Sequence, residues 1–284
     1  MVQSLAMDEI SALAPDDDAV LSAAVQSFAS FVRHLHRGVE QARVIPADDV
    51  LILDSSIADD TFNVITLTRF APDVAARRVA ETLAAVRATG RRFSWSVDPF
   101  ASAQLPGLLE AAGLKETGRV PLMSADLAAE VEPKPVVGEL DIRRVTTERE
   151  LAAFARTIAG IWQPPSPTFV DFFGKAARGI LGPGEGAQGP ETPFQTLVGY
   201  LGGEPVCTAQ TALLHGVAVL FNIVTAAGFR SRGFGAAMTL AAMRAARDEG
   251  YRTAVLQASP MGEPIYRRLG FTQLGQYLEF TVEP

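Results

Sequence analysis

The sequence FNIVTAAGFRSRGFGAAMTL, residues 221–240, decides the fold more than any other stretch of the chain. It begins as an apolar strand and ends, from Gly233, as a helix with apolar residues at helical spacing. Between them, AAGFRSRGFG (226–235) places glycines and two arginines at the helix N-terminus. Because glycines let backbone N–H groups converge and the helix dipole adds positive potential, this turn predicts a phosphate or pyrophosphate site. An ordinary glycine-bearing turn with solvated arginines is the simpler alternative.

Two other phosphate-binding motifs do not fit the sequence. A P-loop requires Gly-Lys-Ser/Thr before its helix, and no such triplet occurs. A dinucleotide-binding fingerprint requires Gly or Ala where Met238 stands. A literal G-x-G-x-x-G occurs at 184–189, but it lies in the Pro/Gly-rich stretch GPGEGAQGPETP, with no strand before it and no helix after it.

The surrounding elements predict an α+β fold with an open sheet. Before residue 127, VLILD, FNVITLT and RFSWSV read as strands, and 73–89 and 103–112 as helices. After residue 140, a helix opened by Thr147 with Glu150 as its capping-box partner precedes three strands, TLVGYL, VCTAQTAL and VAVLFNIVT. The helix from Gly233 to about Glu249 is followed by a strand at 253–258, a helix at 262–269 and a last strand, LGQYLEFTV.

The two halves of the chain can be aligned with each other. FNVIT (62–66) is aligned with FNIVT (221–225), GRRFSWSVDP with GYRTAVLQASP, and LLEAAGL (108–114) with IYRRLGF (265–271), at offsets of 159, 160 and 157. Three blocks in one order predict a duplication. The extended, proline-containing stretch LAAEVEPKPVVGEL separates the copies. The predicted organisation is a first domain at 1–127, a linker at 128–140 and a second domain at 141–284.

Composition restricts the class of protein. A length of 284 residues, 48% hydrophobic and 20% charged, fits a globular protein of two domains. The formal net charge of −7 argues against nucleic acid or an anionic membrane as the main partner. A single cysteine rules out an intramolecular disulfide framework, and no signal peptide or spanning segment is visible. The sequence therefore predicts a cytoplasmic protein.

The stretch from 218 to 280, FNIVT…FRSRGFGAAMTLAAMRAARDEGYRTAVLQAS…IYRRLGF, resembles the core of the GNAT acyltransferase superfamily. The resemblance joins a strand, an R-x-x-G-x-G loop, a helix, a second strand and a Tyr-x-x-Leu-Gly-Phe helix in the family's order. It implies two GNAT-like domains, each a mixed, mostly antiparallel sheet flanked by helices, with acetyl-CoA as co-substrate and no metal.

The resemblance also implies site residues. By this resemblance, the cofactor pyrophosphate binds to backbone amides of Arg230, Ser231, Arg232, Gly233, Phe234, Gly235 and Ala236. Its pantetheine arm binds to the backbone of Ile223, Val224 and Thr225. Ser259 matches a position that is often polar near that arm. Tyr266 matches the position that often supplies a general acid to the departing thiolate, a role that proximity permits a phenol. A core aromatic on a short helix is the alternative for Tyr266.

The general base is left open by the sequence. Many relatives carry a glutamate on the strand that here offers Asn222, which cannot take up a proton from an amine. Glu279, the carboxylate of Pro284 and a water chain are the alternatives.

Other reactive side chains are expected to be structural. Cys207 is either an acyl-cysteine nucleophile or, more in keeping with its apolar strand, a core residue. His34 and His36 stand two apart on a predicted helix and so face different ways, and His215 lies in a strand connection. We expect no metal site.

The first copy is expected to have lost the cofactor site. Where the second copy has AAGFRSRGFG, the first has LTRFAPDVAARR (67–78), with no glycine in the turn, and Leu109 stands where the second has Tyr266. The first copy would then pack against the second and shape the acceptor cleft. The resemblance is to tandem GNAT proteins in which one half is catalytic.

The sequence thus predicts an N-acetyltransferase in which an amine attacks acetyl-CoA directly in a ternary complex. A small-molecule amine is the expected acceptor, and the protein is expected to be a monomer or homodimer. The alternative is a non-catalytic acyl-CoA-binding regulator. WQPPSPTFVDFFGK (162–175) is a candidate specificity segment, although its aromatic residues Trp162, Phe169, Phe172 and Phe173 fit an interdomain core equally well.

Overall fold

A computed structural model describes residues 17–129, 131, 139–182 and 192–284. Within these residues the strands form one eleven-stranded mixed sheet with helices on both faces. The α+β fold class predicted from the sequence is confirmed. No helix in the described ranges is long and apolar enough to cross a membrane.

The helices and strands follow one another in the order expected for two related halves. The helices are α1 (Asp17–Arg37), α2 (Ala75–Arg87), α3 (Leu105–Ala111), α4 (Glu148–Ala159), α5 (Pro167–Lys175), α6 (Ala177–Leu181), α7 (Phe234–Asp248) and α8 (Glu263–Arg268). The strands are β1 (Arg43–Ala47), β2 (Val50–Asp54), β3 (Val64–Thr66), β4 (Phe93–Val97), β5 (Lys115–Asp126), β6 (Leu140–Arg144), β7 (Phe194–Leu201), β8 (Glu204–Leu214), β9 (Val217–Thr225), β10 (Thr253–Gln257) and β11 (Thr272–Val282).

The last strand of each half lies in the sheet of the other half. The strand order is β1-β2-β3-β4-β11-β5-β10-β9-β8-β7-β6. β11 pairs antiparallel with β4, where Phe280 faces Trp95, and β5 pairs antiparallel with β10, where Leu256 faces Met123. β5 and β11 also pair with each other at the centre. Each half therefore borrows a strand, and neither half of the sequence contains a complete sheet.

The proposed domain boundary stays a prediction. Most of the predicted linker, namely residue 130 and residues 132–138, lies outside the described residues, as does the glycine-rich motif at 184–189. The strands on either side of the linker, β5 and β6, lie at the centre and at one edge of the same sheet.

Local sequence signals explain where several elements begin. The capping box of α4 is present, since Thr147 Oγ1 accepts from the backbone N–H of Glu150 and the Glu150 carboxylate accepts from the backbone N–H of Thr147. β4 alternates between buried and partly exposed residues, as its sequence FSWSV indicates. By contrast, β1, β5, α5 and α6 have no counterpart among the elements predicted from the sequence.

Helix α1 packs against both halves of the sheet. Val20, Ala24 and Phe28 lie on the central strands, in a cluster that contains Tyr277 and Val219. Towards its C-terminus, Phe31 stacks on Phe221 of β9 with ring centroids 3.8 Å apart, and Ala29 packs on Leu51 and Leu53 of β2. The helix therefore joins the two halves through apolar contacts on one face of the sheet.

The aromatic segment at 162–175 belongs mainly to the core between the halves. Phe169, Phe172 and Phe173 are buried, and the Phe172 ring stacks on Phe62 of the first half at a centroid distance of 4.0 Å. Trp162 is 39% exposed and packs on Phe169. Of the two roles considered for this segment, the core role is confirmed for the three phenylalanines, because their rings are buried against α1, α4 and the first half.

The first offset in the alignment of the two halves is wrong. Each half has one residue with positive φ at this place: Leu67, directly after β3, at 51°, and Asn222, within β9, at 50°. These two residues are 155 positions apart. Val64 and Ile65 pair with β4, whereas residues 221–225 lie beyond the last β9 residue that pairs with β10. The similarity of FNVIT and FNIVT is therefore not a structural equivalence, although the duplication itself agrees with the strand order.

We expect Phe172→Ala to lower the free energy of unfolding by about 3–5 kcal/mol, because it empties a fully buried site between the halves. Urea unfolding followed by circular dichroism measures the change. Phe100→Ala, at a position that is 43% exposed, serves as the control and should cost little. A double-mutant cycle with Phe62→Ala should show a coupling of about 1 kcal/mol, and strictly additive effects would contradict the stacking.

Candidate functional site

A cleft opens where β9 and β10 separate. The two parallel strands pair from Ala218 to Leu220 of β9 and from Ala254 to Leu256 of β10. Residues 217–220 are buried, and residues 221–225 are only partly buried, as expected where a neighbouring strand has moved away. The predicted pantetheine residues Ile223, Val224 and Thr225 all lie in this unpaired part of β9. Their backbone groups on this side are available to a ligand.

A β-bulge at Asn222 causes the separation. Thr208 faces Val224 and Gln210 faces Phe221, so that Ala209 is opposed by two residues of β9. Side chains hold the bulge: Asn222 Nδ2 donates to Gln210 Oε1 at 3.0 Å, and Thr208 Oγ1 donates to the Asn222 carbonyl at 2.7 Å. Asparagine suits this position because its side chain tolerates the left-handed conformation.

The loop that follows β9 presents unpaired amides at the start of α7. A short 3₁₀-helix, Ala227–Phe229, is followed by Ser231 at φ 63° and by Gly233, the N-cap of α7, at φ 86°. Within the described part of the chain, none of the backbone N–H groups from Ser231 to Ala236 donates a hydrogen bond. Such a row of amides at a helix N-terminus is an anion-binding arrangement.

The loop, the end of β9 and helix α8 converge on one place. A Cβ atom on Gly235 would lie 3.7 Å from Thr225 Oγ1 and 3.8 Å from Ile265 Cδ1. Gly235 therefore keeps the floor of the loop free of side chain. The side chain of Phe234 is buried in the core, so that only its amide can take part in binding.

Arg230 and Arg232 are exposed beside these amides and have no acidic partner in the described chain. Each guanidinium makes only a long hydrogen bond of 3.3 Å to a carbonyl of its own loop, and Arg232 also lies 5.3 Å from the centre of the Phe229 ring. Two cations and six free amides fit the pyrophosphate of acetyl-CoA, because phosphate oxygens accept hydrogen bonds and carry negative charge.

Tyr266 lies under the turn that leads into α8. Its side chain is buried, and burial raises the pKa of its phenol to about 12. The hydroxyl makes no hydrogen bond in the described part of the chain, yet it is not a fully buried atom, so it reaches solvent. Gly262 permits this packing, since a Cβ atom there would lie 2.7 Å from the Tyr266 ring. The ring of Tyr266 is therefore a core aromatic, and its hydroxyl remains available to a ligand.

Ser259 is exposed and caps the same turn. Its Oγ accepts a hydrogen bond from the backbone N–H of Gly262 at 3.1 Å. The serine therefore holds the turn that carries Tyr266.

The two carboxylates considered as a general base lie away from this cleft. Glu279 faces Ser96 of β4, so it belongs to the first half's part of the sheet, and β5 separates its strand from β10. Residue 284 follows Val282, which faces Phe93 at the start of β4. The sequence could not reveal these positions, because they result from the exchange of the last strands. Of the three alternatives for the general base, the two carboxylates lie outside the cleft, which leaves the water chain.

Cys207 and the histidines are structural. Cys207 is fully buried, and desolvation raises the pKa of its thiol to about 12, so it is not a nucleophile at neutral pH. His34 bonds to the Gly179 carbonyl and His215 to Ser30, while burial lowers the pKa of His36. No group of three or more metal-binding side chains occurs among the described residues.

The corresponding place in the first half is closed by a buried ion pair. Arg69, two residues after the left-handed Leu67, makes two hydrogen bonds to the Asp98 carboxylate, at 2.9 and 2.8 Å. Asp98 directly follows β4 and its side chain is fully buried, so the pair ties the end of β3 to the end of β4. The remaining cavity, lined by Thr68, Phe70, Ala75, Ser102, Gln104 and Leu105, holds little more than a water molecule. No motif in the sequence predicted the ion pair of Arg69 and Asp98.

Comparison with known proteins shows which family and which fold the chain resembles. Residues 169–271 match the model of the acetyltransferase (GNAT) family. No curated protein matches the sequence. Solved structures match over nearly the whole length. A GCN5-related N-acetyltransferase from Kribbella flavida has 20% sequence identity and a TM-score of 0.68, covering 92% of this chain and 96% of that chain.

Two further structures extend the likeness to both halves. A tandem GNAT protein from the clavulanic acid biosynthesis pathway matches with a TM-score of 0.57 and 14% identity, covering 95% of this chain and 97% of that chain. A GCN5-related N-acetyltransferase from Sphaerobacter thermophilus gives the same score and identity, covering 94% and 92%. Residues 169–271 therefore resemble the GNAT family, and the whole chain has the tandem form of the GNAT fold. The match to this family implies acyl-CoA binding in general.

We expect the Cys207 thiol not to react with Ellman's reagent at pH 8 in the folded protein, because it is buried and its pKa is about 12. In guanidinium chloride one thiol per chain should react, since the sequence has one cysteine. Absorbance at the wavelength of the released thiolate measures both states. Rapid reaction of the folded protein would contradict the core role.

Proposed function

We propose that the second half is an acetyl-CoA-dependent N-acetyltransferase that transfers an acetyl group to an amine by direct attack in a ternary complex. The supporting observation is the row of unpaired amides from Ser231 to Ala236 beside the open end of β9. In the first half, by contrast, the equivalent place is tied shut by Arg69 and Asp98. We therefore assign one cofactor site to the chain.

Each part of the cleft has a distinct role in this proposal. The loop amides, with Arg230 and Arg232, bind the pyrophosphate, and the backbone of Ile223, Val224 and Thr225 bonds to the pantetheine arm. Acetyl-CoA supplies an activated thioester, and the acceptor supplies the nucleophilic amine. Ser259 fixes the turn that carries Tyr266. The Asn222 bulge keeps the strands apart, so that the reacting groups can meet between them.

Tyr266 holds a proton at the mouth of the cleft. With a pKa of about 12 the phenol stays protonated at every physiological pH. A free thiol has a pKa of about 8.5, so complete proton transfer from Tyr266 to a thiolate is uphill. We propose that Tyr266 donates a hydrogen bond to the leaving sulfur as negative charge develops there, and that CoA leaves as a thiolate that takes its proton from solvent.

The acceptor is proposed to be a small-molecule amine that reaches the cleft with its proton already lost or passes it to water. Asn222 stands on β9 where a base would be useful, and an amide cannot serve as one. The same observation supports a second candidate, a regulator that binds acyl-CoA without turning it over.

A calorimetric titration with acetyl-CoA tests the cofactor site. We expect one site per chain, and we expect Gly235→Val to weaken binding at least tenfold, because its methyl groups would lie over the amides at the helix N-terminus. Gly174→Val, at a helical glycine in α5 with open space around it, is the matched control and should bind like the wild type. Two sites per chain would contradict the closure of the first half, and no binding would contradict the proposal.

Tyr266→Phe separates the enzyme from the regulator. With an acceptor amine, turnover should fall by about 10²–10⁴, while acetyl-CoA affinity changes by less than a factor of about two. Because the pKa of Tyr266 is about 12, the wild-type rate should show no loss between pH 8 and pH 10 from this group. Release of free CoA, measured by thiol titration in a steady-state assay, gives the rates. Equal turnover by both proteins would remove Tyr266 from the mechanism.

A further inference from the structure

The two central strands β4 and β11 leave polar side chains uncovered on one face of the sheet. Trp95 and Phe280 point to the other face and are buried there against α2 and α3. Ser94, Ser96 and Glu279 point to the face that carries α1 and are only partly buried. Such a strip at the middle of a wide sheet is unusual, because most central positions are covered.

Glu279 is a recessed carboxyl group without a cation. Its two oxygens accept hydrogen bonds from Ser94 Oγ at 2.8 Å and from Ser96 Oγ at 2.6 Å. Burial raises its pKa, and within the described part of the chain no Arg, Lys or His forms an ion pair with it. The two fully buried acidic side chains nearby differ in this respect, since Asp54 is paired with Arg91 and Asp98 with Arg69.

The space beside Glu279 is open and has a further polar group at its side. Gly118 of β5 faces Glu279 directly, and a Cβ atom on this glycine would meet nothing within 4 Å. Tyr277, two residues earlier on β11, is buried under α1 with its ring 6.0 Å from Phe28. Its hydroxyl makes no hydrogen bond in the described chain and is not a fully buried atom.

We propose that this pocket, formed by Ser94, Ser96, Gly118, Tyr277 and Glu279, binds a primary ammonium group. An ammonium has three N–H donors and a positive charge. The carboxylate supplies the countercharge that the chain does not, and the hydroxyl oxygens of the serines and of Tyr277 supply further acceptors. A quaternary ammonium has no N–H donors and would leave these acceptors unpaired.

The position of the pocket, taken with the proposed function on which this step rests, defines the class of acceptor. Gln257, the last residue of β10, and Gly275 both face Leu122 of β5, and Glu279 lies four residues further along β11. Two strand spacings and four residues correspond to about 15 Å between the end of β10 and Glu279. The acceptor is therefore an elongated molecule with two primary amines, one at Glu279 and one at the thioester.

Calorimetric titration with decamethylenediamine, without acetyl-CoA, tests the pocket directly. We expect binding by the wild type and a loss of affinity of at least tenfold in Glu279→Gln, which keeps the volume and one serine hydrogen bond but removes the charge. Glu283→Gln, directly after the same strand and in an exposed ion pair with Arg92, is the matched control and should bind like the wild type. Tetramethylammonium should not compete. Equal affinity of all three proteins, or no binding by the wild type, would overturn the proposal.

Steady-state kinetics with the same diamine then tests the acceptor class. In Glu279→Gln the KM for the diamine should rise at least tenfold with little change in kcat, whereas the KM for aminodecanol, which lacks the second amine, should not change. Equal rises for both compounds would overturn the acceptor assignment. Loss of diamine binding in Glu279→Gln without any acetyl transfer by the wild type would support the pocket and contradict the proposed enzyme, so the two failures are distinguishable. Thermal melting of each variant establishes that it is folded.

Discussion

The pairing of β5 with β11 is the interaction on which the rest of the structure depends. Each of these strands also completes the sheet of the opposite half, β11 beside β4 and β5 beside β10. Without the exchange, β4 and β10 would each be an open edge beside a buried core, with unpaired backbone groups in an apolar setting. Helix α1 adds to the same constraint by packing on both halves. The two copies are therefore one cooperative structure in which the position of each site depends on strands from both.

The two copies use the same backbone feature in opposite ways. Each has a left-handed residue, Leu67 or Asn222, at the point where two parallel strands part. In the second copy a glycine-containing loop follows, and the amides at the start of α7 stay free. In the first copy the ion pair of Arg69 and Asp98 spans the gap, and removing Arg69 would be costly because the fully buried Asp98 carboxylate would remain desolvated without a countercharge. The same gap is therefore open in the second copy and tied by an ion pair in the first.

The exchange also creates a surface that neither copy would have alone. Glu279 comes from the second half of the sequence, whereas its hydrogen-bond donors Ser94 and Ser96 come from the first. The hydrogen-bond donors of Glu279 are neutral, so its carboxylate has no countercharge, whereas Asp54 and Asp98 have arginine partners. In the proposed ammonium pocket the first copy therefore contributes two hydroxyl groups, although Arg69 and Asp98 close its own gap.

The sequence by itself determined the α+β class, the resemblance to the GNAT superfamily and the loop that carries the amides, because glycine, arginine and helix-start signals act over a few residues. It also indicated the loss of the site in the first copy, since the turn at 67–78 has no glycine. The strand exchange, the equivalence of Leu67 with Asn222 and the location of Glu279 were decided by the tertiary structure alone. Strand pairing joins residues more than a hundred positions apart, and hydrophobic alternation is the same whichever neighbour a strand has. Local patterns therefore fix what an element is, and only the packed sheet fixes what lies beside it.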